Sequence, residues 1–176
     1  AFLAQQKLMI HLETLATLSS VRNSIDTRDK FYDAEEEFWN AALPELKAYE
    51  DAWQGAMLES PFRKDFAAQY GDLMFVNTEM ARKTFSPAIV EELKQENTLV
   101  LAYDKLIASA QIEFEGGTYT ISQLSPFKNS PDDAVRLAAW KAEGGWYKAH
   151  QPELDEIYDK LVRLRDAMGR KLGYNG

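Results

Sequence analysis

Apolar residues recur every three or four positions along most of the chain, which predicts a predominantly helical protein. The first apolar stripe consists of leucines and ends before the polar residues 22–24; its members are Leu8, Leu12, Leu15 and Leu18. A second stripe follows, made of Phe31, Ala34, Phe38 and Ala42. Pro44 then either kinks this second helix or starts a new one, since proline is tolerated in a first helical turn.

Three Ser-Pro pairs, at 60–61, 86–87 and 130–131, predict helix N-termini. A serine side chain can accept from a free backbone N–H there, and proline has a φ angle close to the helical value. The helix that starts at Pro87 is expected to reach about Ser109. The last helix is expected to run from about Pro152 to Leu172, where Gly173 is a typical C-terminal stop.

One segment alternates with the period of a β-strand. Ile112, Phe114, Tyr119 and Ile121 flank the turn 115–118, which contains two glycines. This pattern predicts a β-hairpin over about residues 111–122. The predicted fold class is therefore mainly α, an antiparallel multi-helix array with one short β-hairpin.

Composition limits the classes of function. The chain has no cysteine, which excludes disulfides and thiolate metal sites and fits a reducing compartment. We find no signal peptide and no apolar run long enough to span a membrane, so we expect a cytoplasmic protein without a membrane partner. The net charge of −8 argues against a nucleic-acid partner. Both ends of the chain resemble cut ends, which predicts a fragment.

The residues alone predict no catalytic or metal site. His11 has no histidine or carboxylate three or four positions away, and His150 has only a weak His-x-x-Glu pairing with Glu153. A di-iron bundle needs Glu three residues before each histidine, whereas Leu8 and Tyr147 stand there. The four tryptophans at 39, 53, 140 and 146 either belong to the core or line a ligand groove.

An ordered set of short segments carries a family resemblance. The segments are Ser-Pro-Phe-Arg at 60–63, Tyr-Gly-Asp-Leu-Met-Phe at 70–75, Phe-Ser-Pro at 85–87, the hairpin 112–121, Ser-Pro-Asp-Asp at 130–133, residues 154–162, and Lys-Leu-Gly-Tyr at 171–174. Together they resemble the N-terminal region of the oligoendopeptidase F-like (thimet-type) zinc metallopeptidases.

The resemblance implies that residues 1–176 form the N-terminal helical lobe of a larger, oligopeptide-hydrolysing zinc metalloendopeptidase. Such a lobe would form one wall of the substrate cleft and pack on a C-terminal catalytic lobe, which binds the zinc through a His-Glu-x-x-His helix. No His-Glu pair occurs in this sequence. The resemblance therefore assigns no catalytic or metal residue here, no zinc to this fragment, and no activity to the fragment by itself.

The implied partners are the catalytic lobe and short peptide substrates. We expect Trp140, Trp146, Tyr147 and the hairpin residue Tyr119 to line the substrate channel or the interface between lobes. The exposed interface of an isolated lobe would also allow homo-oligomers. Two alternatives remain: a stand-alone, non-catalytic helical protein-interaction module, and a metal-storing helical bundle, which the histidine pattern disfavours.

Overall fold

The chain is mainly helical in its computed structural model, which describes residues 2–175. Within this range it has seven α-helices and one antiparallel hairpin, which confirms the predicted fold class. The elements are α1 (Phe2–Ile25), α2 (Lys30–Leu58), α3 (Arg63–Tyr70), α4 (Leu73–Lys83), α5 (Val90–Ala108), β1 (Ile112–Phe114), β2 (Gly117–Tyr119), α6 (Ser125–Lys128) and α7 (Asp133–Lys171). Short 3-10 turns precede α5 and α6.

The hairpin forms where the alternation predicts it. Ile112 pairs with Tyr119, and Phe114 pairs with Gly117. Glu115 and Gly116 turn the chain with φ angles of 46° and 80°. Positive φ at both central residues matches the right-handed twist of the flanking strands. Ile112 and Phe114 are buried, so one face of the hairpin is fixed against a core.

Helix α1 differs from its prediction in two respects. It continues through residues 22–24 to Ile25, and the Ser24 hydroxyl donates to the Ser20 carbonyl within the helix. Its buried positions are Ala16, Ser19 and Asn23, small or polar residues on a helix that packs against α2. Large apolar side chains at other positions of α1 are between 41% and 77% exposed; we call this set the α1 apolar face: Leu8, Leu15, Leu18, Val21 and Ile25.

Helix α2 passes through Pro44 without ending. Proline lacks the N–H that would bond to the carbonyl four residues earlier. In α2 that carbonyl belongs to Asn40, and it accepts a hydrogen bond of 2.9 Å from Asn97 Nδ2 instead. Because the freed acceptor is satisfied by another helix, a buried proline is tolerated here.

Of the three predicted Ser-Pro helix starts, one is confirmed. Ser86 Oγ accepts from the Ala88 N–H at the start of the 3-10 turn that leads into α5. Helix α3 begins at Arg63 rather than at Pro61, without a side-chain cap. Helix α7 is capped by Asp132, whose carboxylate accepts from the N–H groups of Ala134 and Val135. A carboxylate favours the positive end of a helix dipole, which explains why it replaces the serine.

Helix α7 is one continuous helix rather than two. The predicted start at Pro152 is wrong, because this proline lies inside the helix. Pro152 and Lys148, four residues before it, are both exposed, so water can reach the freed carbonyl. Gly173 does end the helix, with a φ of 89°, and the Tyr174 N–H donates back to the Gly169 carbonyl.

The chain divides into two compact units. One contains residues up to 98 together with those from 163 onward, and the other contains residues 99–162. In the first, Phe85, Ile89 and Met168 form a buried cluster. Charged pairs between helices surround it within this unit: Lys94–Glu45, Arg165–Glu96 and Lys171–Glu92 at 2.6 Å, and Arg82–Asp51 at 2.8 Å.

The second unit has its own core. Its buried members come from the connection after α5, β1, the following 3-10 turn and α7: Ala110, Ile112, Phe114, Leu124, Ala139 and Trp146. Leu124 and Ala139 are completely inaccessible to solvent. Phe127 packs its ring edge-on against both Phe114 and Tyr119 at 5.2 Å, which holds the hairpin to α6.

In the part of the chain that the structure describes, no helix combines the length and apolar character needed to cross a membrane.

The Lys171–Glu92 pair makes one region of the first unit sensitive to pH. Lys171 Nζ donates to Glu92 Oε1 at 2.6 Å and to the Ala88 carbonyl at 3.1 Å. This hydrogen bond lowers the pKa of Glu92 below its usual 4.5, against the opposing effect of burial. Since the folded pKa is lowered, the pair stabilises the fold fully above about pH 4.5, and this contribution is lost as the pH falls through the folded value.

We expect Glu92→Gln to lower the free energy of unfolding by up to about 1 kcal/mol at pH 7, the range for a pair with one exposed partner. The difference from the wild type should become smaller as the pH is lowered from 7 to 3. Urea unfolding followed by circular dichroism at both pH values measures this. Glu91→Gln, next in sequence but 75% exposed at its side chain, is the control and should change little. An equal loss at both pH values would contradict the charge argument.

Candidate functional site

The predicted site residues on α7 lie around two consecutive glycines in mid-helix. Gly144 and Gly145 have helical geometry, and no atom lies within 4 Å of the position where a Cβ would be. A helix-interior glycine is roughly 1 kcal/mol less favourable than alanine. Within the described chain neither glycine is required by a turn or by a close neighbour, so their conformational cost is not explained by the packing of this chain.

The four predicted site residues occupy two different environments. Trp146 is 8% exposed and belongs to the core of the second unit, and Tyr119 is half-buried against the same core. Trp140 and Tyr147 are 55% and 37% exposed. The structure thus brings Trp140 and Tyr147 to the surface of one helix, whereas Trp146 and Tyr119 hold that helix and the hairpin together.

Trp140 and Tyr147 belong to a longer exposed row, which we call the α7 stripe: Leu137, Trp140, Gly144 and Tyr147. These positions are spaced by three or four residues and therefore lie on one side of the helix. Leu137 is 56% exposed, and Gly144 is exposed as well. The stripe thus consists of the aliphatic side chain of Leu137, the ring of Trp140, a gap at Gly144 where the helix backbone is uncovered, and the ring of Tyr147.

A nearly buried ion pair supports one end of the stripe. Lys128 Nζ lies 2.5 Å from Glu143 Oε2, and the two side chains are only 13% and 10% exposed. The contact is an ion pair without aligned hydrogen-bond geometry, since Oε2 has no hydrogen-bond partner. Lys128 Nζ also lies 4.7 Å from the centre of the Trp140 ring. This cation–π contact holds the exposed indole over α6.

Tyr147 and His150 have well-defined surroundings. Burial, followed by the nearby charges of Glu143 and Tyr103, raises the pKa of the Tyr147 hydroxyl, so it stays protonated at neutral pH and can donate a hydrogen bond. The His150 ring stacks on Trp146 at 4.2 Å, and its Nδ1 lies 2.9 Å from the Trp146 carbonyl oxygen. Because a carbonyl only accepts, Nδ1 carries a proton in this contact.

The side chains of the α7 stripe are of types that can bind a partner. Among residues 2–175 no three His, Cys, Asp or Glu side chains are grouped so that they could hold a metal ion. The described residues thus provide no group of ligands for the zinc, which the family resemblance assigns to a catalytic lobe. The α7 stripe instead offers two exposed rings, a phenol donor and an uncovered stretch of helix backbone.

Three known structures share this architecture. An X-ray structure assigned as an oligoendopeptidase F matches with a TM-score of 0.89 at 43% identity, over 92% of this chain and 29% of its own. PZ peptidase A, solved with an inhibitor, matches with a TM-score of 0.89 at 40% identity, over 93% of this chain and 29% of its own. A protein of Bacillus anthracis str. Ames assigned as an oligoendopeptidase F has 38% identity, a TM-score of 0.88, and coverage of 92% and 30%.

Residues 1–85 also match the family model described as the peptidase M3 N-terminal domain. This chain is related to the N-terminal region of the oligoendopeptidase F-like peptidases. The relationship suggested by the sequence segments is thereby confirmed. No curated protein sequence matches the chain.

The chain spans less than a third of the length of these oligoendopeptidase F-like structures. The family relationship extends over both units, because the matched structures cover more than nine-tenths of the chain. The sequence pointed to Trp140 and Tyr147 as candidates, but not to Leu137, Lys128 or Glu143. The Lys128–Glu143 contact joins α6 to α7 across a loop, and no local pattern signals it.

Proposed function

We propose that residues 1–176 are the N-terminal helical lobe of an oligopeptide-hydrolysing zinc metalloendopeptidase. The lobe forms one wall of the substrate cleft, packs on a C-terminal catalytic lobe, and has no activity by itself. The observation that carries this proposal is the match to peptidase structures more than three times as long, at 38–43% identity. The zinc is held by the catalytic lobe, and the protein acts on short peptides in the cytoplasm without nucleic-acid or membrane partners.

The α7 stripe is the part of this lobe that we assign to the cleft wall or to the interface between lobes. Gly144 lies at its centre with open space where a side chain would be. A glycine destabilises its helix, and its presence is explained if another backbone or a peptide has to approach the helix closely at that point. Trp140 and Tyr147 on either side supply aromatic surface and a hydroxyl donor to the same approaching group.

The α1 apolar face favours this proposal over a stand-alone, non-catalytic protein-interaction module. The five large aliphatic side chains of this set are each at least 41% exposed. Monomeric soluble proteins rarely leave large apolar patches uncovered. A lobe that packs on a larger body accounts for the exposure, and in an isolated lobe the same face supports homo-oligomers.

Activity of matched polypeptides tests the proposal. The longer polypeptide that contains this chain is expected to cleave an internally quenched fluorescent oligopeptide and to lose that activity with a zinc chelator. The 176-residue chain alone is expected to cleave nothing at the same concentration. Cleavage by the chain alone, or none by the longer polypeptide with zinc present, would sink the proposal.

Gly144→Leu in the longer polypeptide tests the stripe itself. We expect kcat/KM to fall at least about tenfold, because a side chain now occupies the space where the partner approaches. In the chain alone, the same change should raise the free energy of unfolding by roughly 0.5–1 kcal/mol, since leucine is the better helix former. Gly145→Leu, which lies off the stripe, is the control and should stabilise both proteins without loss of activity. Equal activity of the two variants would contradict this role of Gly144.

A further inference from the structure

The first unit contains a pocket of about 500 Å³ that is unrelated to the α7 stripe. Its walls come from the start of α1, the last two turns of α2, α3 and α4. Aromatic rings form most of the lining, from Phe2, Trp53, Phe66 and Phe75. Ser60 and Arg63 lie at one side. This size, and a mainly apolar lining with a few polar groups, is typical of sites for small organic ligands.

The aromatic walls support one another. The Phe2 ring is stacked on Trp53 at 5.8 Å and meets Phe66 edge-on at 5.6 Å. Phe66 in turn meets Phe75 edge-on at 6.3 Å. Phe75 is 1% exposed and anchors this series of rings to the interior. Because the rings are fixed by mutual contact, the pocket is formed before a ligand enters. Little conformational entropy of these side chains is therefore lost when the ligand binds.

The polar side of the pocket has unused hydrogen-bond donors. Arg63 Nη2 donates to Glu79 Oε1 at 2.8 Å, and its guanidinium lies 5.0 Å from the centre of the Phe75 ring. These contacts fix the side chain but use one of its five N–H groups. Ser60 Oγ accepts from the Phe62 N–H, which leaves the hydroxyl proton free to donate. Both polar groups thus offer donors to the ligand and favour an acceptor there over an amine.

We propose that this pocket binds a small planar aromatic molecule with a carboxylate at one edge. The ring lies among Trp53, Phe66 and Phe75, and the carboxylate accepts from Arg63 and Ser60. An arginine fork matches the geometry of a carboxylate, as it matches that of a phosphate. The pocket lies outside the α7 stripe, and the proposal does not rest on the peptidase assignment.

Three indoles of matched size distinguish the ligand chemistry. Indole-3-acetate carries the carboxylate, 3-methylindole has none, and tryptamine carries an amine. Binding is followed by ¹⁹F NMR of the full polypeptide labelled with 5-fluorotryptophan, in which the Trp53 signal is identified by its loss in Trp53→Phe. We expect a saturable shift of that signal with indole-3-acetate, with a dissociation constant on the order of 0.1–1 mM for so small a ligand. Tryptamine should bind at least tenfold more weakly, and 3-methylindole in between.

Variants at three positions locate the site. Ala56→Trp fills the pocket from α2 and should abolish the ligand-induced shift of the Trp53 signal. If the tryptophan prevents folding, Ala56→Leu is used in its place. Ala52→Trp, one turn earlier on α2 and outside the pocket lining, should leave binding unchanged. Arg63→Gln should reduce the affinity for indole-3-acetate to that for 3-methylindole. Absence of a saturable shift, a shift that survives Ala56→Trp or Ala56→Leu, or equal affinity for all three indoles would overturn the proposal.

Discussion

Trp146→Ala is expected to lower the free energy of unfolding of the second unit by roughly 3–5 kcal/mol, the usual range for removing a buried aromatic side chain. Trp146 is 8% exposed, lies in the same core as Leu124 and Ala139, and stacks on His150. Its removal leaves a cavity that the rigid hairpin cannot fill. Urea unfolding followed by near-ultraviolet circular dichroism, which reports aromatic packing, measures the loss.

Trp140→Ala is the matched control, since it removes the same side chain six residues earlier on the same helix. Trp140 is 55% exposed and makes a cation–π contact with Lys128. We expect this variant to lose no more than about 1 kcal/mol. The contrast separates a packing role from a surface role. If both variants lost the same stability, the assignment of Trp146 to the core and Trp140 to the stripe would be wrong.

Lys128→Met is expected to destabilise the second unit by about 3–5 kcal/mol, because it leaves the carboxylate of Glu143 buried without its cation. The two side chains are 13% and 10% exposed, and Nζ lies 2.5 Å from Oε2. Neither charge can be solvated well in place. Equilibrium urea unfolding at pH 7 is the measurement.

The double variant Lys128→Met, Glu143→Leu provides the comparison. A buried ion pair is often no more stable than apolar residues of similar volume, so removing both charges should recover most of the loss. We expect the double variant to lie within about 1 kcal/mol of the wild type. A double variant as unstable as the single one would mean that the lysine acts through packing rather than through its charge.

The predictions that succeeded from sequence are those set by local chemistry. The hairpin follows from alternation around two glycines, and Glu115 and Gly116 adopt the positive φ angles that such a turn needs. The end of α7 follows from Gly173, which can adopt a left-handed conformation without a Cβ clash. In both cases a few neighbouring residues determine the backbone, so no distant partner has to be known.

Two features of α1 and α2 depend on partners far apart in sequence. Pro44 stays inside α2 because Asn97, more than fifty residues away, donates to the freed Asn40 carbonyl. The buried side of α1 is the one with Ala16 and Ser19 rather than the leucines, because α2 packs closely against small residues. Apolar side chains occur on several sides of α1, so periodicity alone could not decide which side is covered.

The candidate site shows the same division. Aromatic residues around Gly144 could be recognised as candidates, but sequence gave no means of separating Trp140 and Tyr147, which are exposed, from Trp146, which is buried. Helical spacing separates the exposed from the buried residues only when the buried side of α7 is known. The core formed with the hairpin identifies that side, because Ala139 and Trp146 are part of it.

The sequence by itself determined the mainly helical fold class, the hairpin and its turn, the exclusion of disulfides, and the relationship to the oligoendopeptidase F-like peptidases. These depend on residue types, local backbone preferences and the order of short segments. Only the tertiary structure decided which faces of α1 and α7 are exposed, that Lys128 neutralises Glu143, and that aromatic rings from four helices enclose a pocket beside Arg63. The physical reason is that burial and ion pairing depend on residues brought together from distant parts of the chain, whose contacts leave no periodic trace in sequence.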